Sequence, residues 1–274
     1  MKPWRIYEAL QREIPDEARV RRCLVGRGWT LVEAEGDQAA VGMAMTHRAD
    51  VEAALPLPIA GKRLKDVAAL ARSWNVEEAA VGVAALNAHH NARARVETMF
   101  RCQPAGSNTV TAFAAMEKEI AGCRVAVVGH FHRVEDLAKS CTLTVLERKP
   151  QPGDLPDFAA EYVLPDQEYV FITGVTLVNK TLPRLLELCR RARVILVGPS
   201  VPLSPILFDF GVAVLGGTVV LDPAGVWAAA QEGGVHEIWR SGAVTVQLRP
   251  EDATSHAKPG CRLITLTQAR GPSG

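Results

Sequence analysis

Apolar and polar positions alternate in two different ways along this chain. Near the N-terminus Ile6, Leu10 and Ile14 recur four apart, which predicts a helix over residues 4–14. Three short segments rich in β-branched or apolar residues follow: "ARVRRCLV", "WTLVEA" and "AAVGMAMT". Gly26, Gly28, Gly36 and Asp37 punctuate them, the pattern of an antiparallel meander. "LKDVAALAR" reads as a helix, and "VEEAAVGVAALNAHHN" as a second one capped by Asn75. Beyond the Pro-, Gly- and Ser-containing stretch "RCQPAGSN" the pattern changes. "RVAVVG" (124–129), "LTVLE" (143–147), "YVFITG" (169–174), "RVILVG" (193–198) and "VAVLGG" (212–217) are apolar at nearly every position. Such runs suit strands covered on both faces, as in a parallel sheet. Helical stretches such as "LPRLLELCRRA" lie between several of them. The expectation is an α/β protein. Residues 1–105 form a small α+β domain, and residues 106–274 form a Rossmann-like doubly wound domain. The polar tail after Pro250 contains "CRLITLTQ", which could add an edge strand.

Composition changes this picture little. Of 274 residues 48% are hydrophobic and 22% charged, so a sizeable core can form. A net charge of +1 supplies no field favouring nucleic acid or anionic lipid. No apolar run reaches the roughly 18 residues of a membrane span, and the amphipathic N-terminus does not read as a signal peptide. These features point to a cytoplasmic protein with no nucleic-acid or membrane partner. Its size is compatible with a homodimer, although no sequence stripe argues for one. The six cysteines form no C-x-x-C pair and read as reduced thiols.

In open parallel sheets ligands bind beyond the carboxyl ends of the strands. The first run ends in Gly129, His130 and His132, and the second in Glu147. The third ends in Gly174, Thr176 and Asn179, and the fourth in Gly198, Pro199 and Ser200. Glycine permits close backbone approach, while Thr, Asn and Ser supply compact hydrogen-bonding groups. Thr176 or Asn179 would equally serve as a helix cap. An acid at the second strand end suits ribose or diol hydroxyls, the role expected for Glu147. Only one glycine follows the first run, so the G-x-G-x-x-G fingerprint is incomplete. Asn87 and His90 share a helix face with Val76, Ala80 and Val83, so both are expected to turn inward. Of seven histidines, His130 and His132 have a spacing that can chelate one ion, whereas the adjacent His89 and His90 do not. His130 is also the acid/base candidate.

Four stretches in order resemble the putative heavy-metal chelation family: "VAVVGHF", "VLERKPQPGDLPD", "TGVTLVNKTLPRLLEL" and "LVGPSVPLSPILFDFGVAVLGGTVVLD". The Asn87-bearing "AAVGVAALNA" is similar to the family's first-domain segment. The resemblance implies an enolase-N-terminal-like domain followed by a Rossmann-like domain, with a site at their interface. It also implies a role in heavy-metal handling or in making a metal-chelating, pterin-like or siderophore-like molecule. Val175 and Val201 depart from it, each standing where the family pattern has Thr. The first expectation is therefore a cleft walled by the loops after Gly129, Gly174 and Gly198, with Glu147 to one side and Asn87 reaching in. It would bind, and in an enzyme transform, a polar heteroaromatic or nucleotide-like ligand or a metal chelate. One alternative is a non-catalytic metal-binding or metal-chaperone protein in which His130 and His132 hold a heavy or transition metal. Another is an S-adenosylmethionine-dependent methyltransferase.

Overall fold

The computed structural model describes residues 2–36, 40–47, 55, 58–104 and 112–254. Helix α1 (Arg5–Arg12) buries Ile6, Tyr7 and Leu10, and a meander of β1 (Val20–Val25), β2 (Trp29–Ala34) and β3 (Ala40–Met45) follows it. α2 (Leu64–Ala68) runs into a short 3-10 turn, and then comes α3 (Val76–His90). Asn75 caps α3 by accepting from the N–H groups of Glu77 and Glu78. The fourth and fifth helices are α4 (Arg93–Phe100) and α5 (Ala112–Ile120).

All of β2 is buried, although a meander usually leaves one face wet. Trp29 and Leu31 pack on one side with Val226 and Trp227, while Val32 and Ala34 pack on the other with α3. The meander is thus a middle layer. α3 is buried on nearly all sides, so the sequence reading of a single apolar face understates its burial.

The larger sheet contains β4 (Arg124–Val128), β5 (Thr142–Glu147) and the two-residue β6 (Leu155–Pro156), which is followed by α6 (Ala160–Val163). It continues with β7 (Tyr169–Thr173), α7 (Val175–Val178), α8 (Leu182–Leu188), β8 (Arg193–Val197) and α9 (Ile206–Asp209). It ends with β9 (Val212–Val220), α10 (Pro223–Gln231) and β10 (Ala243–Leu248). The strand order is β10-β9-β8-β7-β4-β5-β6, all parallel except β10 against β9. From the β6 edge this is the doubly wound order 3-2-1-4-5-6 with one antiparallel strand added. β4 shows why its sequence is apolar throughout. Val125 and Val127 meet the core layer that includes α5, whereas Ala126 and Val128 join the core shared with α3 and α8.

Each of the five expected parallel runs is a strand of this sheet. β6 and β10 were not anticipated: one is two residues long, and the other alternates only weakly in polarity. The edge strand expected in "CRLITLTQ", like Cys261, lies outside the described residues. Among the described residues no helix is long and apolar enough to cross a membrane.

Candidate functional site

The direction of winding reverses between β4 and β7, and there the connections leave a crevice beyond the strand ends. A cleft of about 340 Å3 opens at this point. Gly129 and His130 come to it from β4, Glu147 and Arg148 from β5, and Thr173, Val175, Thr176 and Asn179 from β7 and α7. Met45 and His47, at the end of β3, close it from the meander side. Val128, Phe131, Leu146 and Leu185 supply apolar wall.

The polar groups are held in place locally. One Glu147 oxygen accepts the His130 backbone N–H (2.9 Å) and the other accepts that of Lys149 (3.0 Å). A carboxylate fixed in this way keeps lone pairs for hydroxyl or N–H donors of a ligand. The Thr176 hydroxyl donates to the Thr173 carbonyl at 2.6 Å, which leaves its oxygen lone pairs to act as acceptors. Asn179 Oδ1 accepts from both the N–H (3.1 Å) and the hydroxyl (2.6 Å) of Thr181. Its NH2 group has no partner among the described residues, so it is a donor available to the cleft. The expected cap therefore exists, but Asn179 closes α7 and orders the turn into α8.

The His130 ring lies between two carboxylates. Nδ1 is 2.9 Å from Asp154 Oδ2, and Nε2 is 3.2 Å from Glu135 Oε1. Asp154 is nearly buried, also accepts the Gln151 N–H at 2.9 Å, and orients the imidazole. Neither acid carries a sequence signal: Asp154 lies in a Pro-Gly loop, and Glu135 reads as a surface residue. Met45 and His47 were likewise not anticipated, because nothing local tells that β3 ends over the other sheet.

Other expected residues lie elsewhere. His132 is exposed and outside the cleft lining, so Glu135 and not His132 stands beside the second ring nitrogen of His130. Among the described residues no three His, Cys, Asp or Glu side chains gather as ligands for a metal. Gly198, Pro199 and Ser200 do not line the cleft. Their loop is wedged against α3 and β3 instead: Ser200 Oγ accepts the Met45 N–H (3.0 Å), and Asn87 Nδ2 donates to the Pro199 (3.2 Å) and Met43 (2.7 Å) carbonyls. Asn87 is fully buried and outside the cleft lining, and its Oδ1 has no hydrogen-bond partner among the described residues. Asn91, not singled out from the sequence, ties the same loop down. It donates to the Val201 and Thr218 carbonyls and accepts from the Leu203 N–H. Gly174 has a packing reason, since a Cβ there would come within 2.8 Å of the Ser200 and Val201 backbone. Of the two departures from the family pattern, Val175 lines the cleft and Val201 is buried outside its lining.

Sequence and structure comparisons converge on one family. Two family models, both described as "putative heavy-metal chelation", match residues 7–90 and 112–248. A crystal structure of a protein of unknown function from Desulfitobacterium hafniense, of the DUF364 family, is 34% identical, with a TM-score of 0.81 over 90% of this chain and 98% of that one. A second from Pyrococcus horikoshii, 20% identical with a TM-score of 0.74 over 91% and 100%, shares the fold. An uncharacterized protein of Methanocaldococcus jannaschii is 29% identical over 211 residues, 71% of this chain and 75% of that protein. The chain belongs to the family described as putative heavy-metal chelation.

Proposed function

We propose that the switch-point cleft binds a small planar heterocycle able to chelate a metal, and that the metal is cargo carried by that molecule. The observation that carries this reading is the arrangement of polar groups between apolar walls. Glu147 and Thr176 accept, Asn179 donates, and Val128, Phe131, Leu146, Val175 and Leu185 offer surfaces for a flat ring. A ring with a donor edge and an acceptor edge satisfies both. At about 340 Å3 the cleft is at the small end of the roughly 300–1,000 Å3 of ligand sites, enough for a ring system with a short substituent. A dinucleotide fits less well. β4 is followed by a 3-10 turn, Val134–Lys139, where a dinucleotide site needs a helix N-terminus for the pyrophosphate. S-adenosylmethionine carries no phosphate; what weighs against it is that Gly129 alone follows β4, where a glycine-rich loop would let the adenosyl and methionine groups lie against the backbone.

The donor set bears on the metal. His130 Nε2 and Glu135 are two ligands, short of the four that a protein-held zinc centre uses. They suit an ion whose other positions a chelator already fills. Nδ1–H donation to Asp154 is the hydrogen bond that metal-ligating histidines commonly make. The same dyad places His130 to exchange a proton with the ligand, which makes it the candidate should the bound molecule be transformed.

The test is a thermal-shift series with planar heterocyclic chelators, a pterin and 8-hydroxyquinoline, each with and without a divalent transition metal. A ligand at 100 times its Kd stabilises by about 2.7 kcal/mol, a rise of roughly 5–10 °C for a chain of this size. Val175→Phe, which fills the cleft, should abolish the shift. A shift surviving in that variant, or one produced by the metal alone, would sink the reading.

A further inference from the structure

A second groove, about 840 Å3, runs between α1 and the segments around α8 and α9, and shares no lining residue with the cleft. Arg5 and Arg12 border it, two turns apart on one side of α1 and therefore about 10 Å from each other along the axis. Small Ala9 stands between them, and Arg190 faces them from the end of α8. None of these three guanidinium groups has a hydrogen bond or ion pair among the described residues.

Three carboxylates also line the groove, but two are already committed. Glu187 pairs with Arg184 at 3.1 Å. Glu13 pairs with Arg95 at 2.5 Å, and its Oε2 faces the fully buried His90 Nδ1 at 3.8 Å. That cluster engages the Glu13 carboxylate, whereas Arg5, Arg12 and Arg190 are exposed. Among the described residues Asp209 is left as the one acid of this lining without an ion pair, against three such cations, with Ile206 and Phe210 providing an apolar floor.

We propose that this groove is a second binding site, for a small organic polyanion: a molecule bearing at least two phosphate or carboxylate groups on an apolar body. Arginine suits such groups because its planar fork pairs with them through two hydrogen bonds. Since α1 precedes the meander whereas α8 and α9 flank the larger sheet, a ligand bridging Arg12 and Arg190 fastens the two parts of the chain together. Occupancy of the groove would therefore raise the melting temperature.

Calorimetric titration at low ionic strength, with ATP and with inorganic tripolyphosphate as probes, tests this. ATP should bind one per chain and more tightly than tripolyphosphate, which has no group for the floor. Arg12→Ala and Arg190→Ala should each weaken ATP about tenfold, the loss of one charge-assisted contact. Arg240→Ala, an exposed arginine outside the groove, should stay within twofold. No saturable binding at millimolar probe, or an equal loss in Arg240→Ala, would overturn the proposal.

Discussion

Replacing Gly174 by alanine opposes two effects of known size. Its φ of −59° is helical, so glycine's freedom is not needed there, and alanine alone would stabilise the fold by about 0.4–1 kcal/mol through the unfolded chain. The new Cβ, however, would lie 2.8 Å from Ser200 C, Val201 N and Val201 Cγ2, inside ordinary contact distance of all three. That loop cannot retreat freely. Ser200 Oγ holds the Met45 N–H, Asn87 holds the Pro199 carbonyl, and Asn91 holds Val201 and Leu203. Overpacking against so constrained a partner costs about 1–3 kcal/mol. The cost wins, leaving a net loss of about 1–2 kcal/mol, or roughly 3–6 °C in Tm. Thermal melts of wild type and Gly174→Ala measure it. The shift also reaches the cleft, because the displaced Ser200 holds Met45 at its edge, so ligand affinity should fall as well. A variant as stable as wild type would refute the claim that this glycine exists to seat the loop.

Other outcomes follow from the same geometry. Asn91→Ala removes three buried hydrogen bonds and strands the Val201 and Thr218 carbonyls and the Leu203 N–H; it should cost about 3–5 kcal/mol in denaturant unfolding, whereas a loss below about 1 kcal/mol would mean that water replaces the side chain. Burial, helped by Arg95, pushes the His89 imidazole from 6.5 down to about 4. The unfolded chain therefore binds the proton first, and stability should be constant above pH 6.5 and fall as the pH drops from 6.5 towards 4. His89→Gln should reduce that fall in melts across the range, leaving the part due to the fully buried His90, which burial also shifts down; an unchanged slope would assign the whole fall to His90 and other groups. Asp154→Asn should leave the fold intact but loosen His130, weakening metal-loaded chelator more than the metal-free form; equal weakening of both would remove Asp154 from the metal argument.

Much of this architecture could be read from residue patterns, because buried parallel strands write themselves as unbroken apolar runs. The meander was readable from its glycines, and α3 from Asn75 and the alanine-rich run. Long-range contacts were not. Thr176 and Asn179 follow the third run and do line the cleft, as a strand-end rule suggests. Pro199 and Ser200 follow the fourth by the same rule, yet they are consumed by Asn87 and Met45, partners more than a hundred residues away. Asp154 meets His130 only because β4 and β5 lie side by side, a fact held in the sheet register and in no local motif, whereas Glu135 reaches it from the Val134–Lys139 turn just after β4, a local contact that no residue pattern marks.

Native mass spectrometry with elemental analysis, on protein isolated from its own cells beside Val175→Phe prepared identically, tests the central claim most directly. The account predicts one organic adduct per wild-type chain, any metal present in proportion to that adduct, and loss of both from the variant. Metal bound at one per chain without an organic partner, and retained by Val175→Phe, would contradict it.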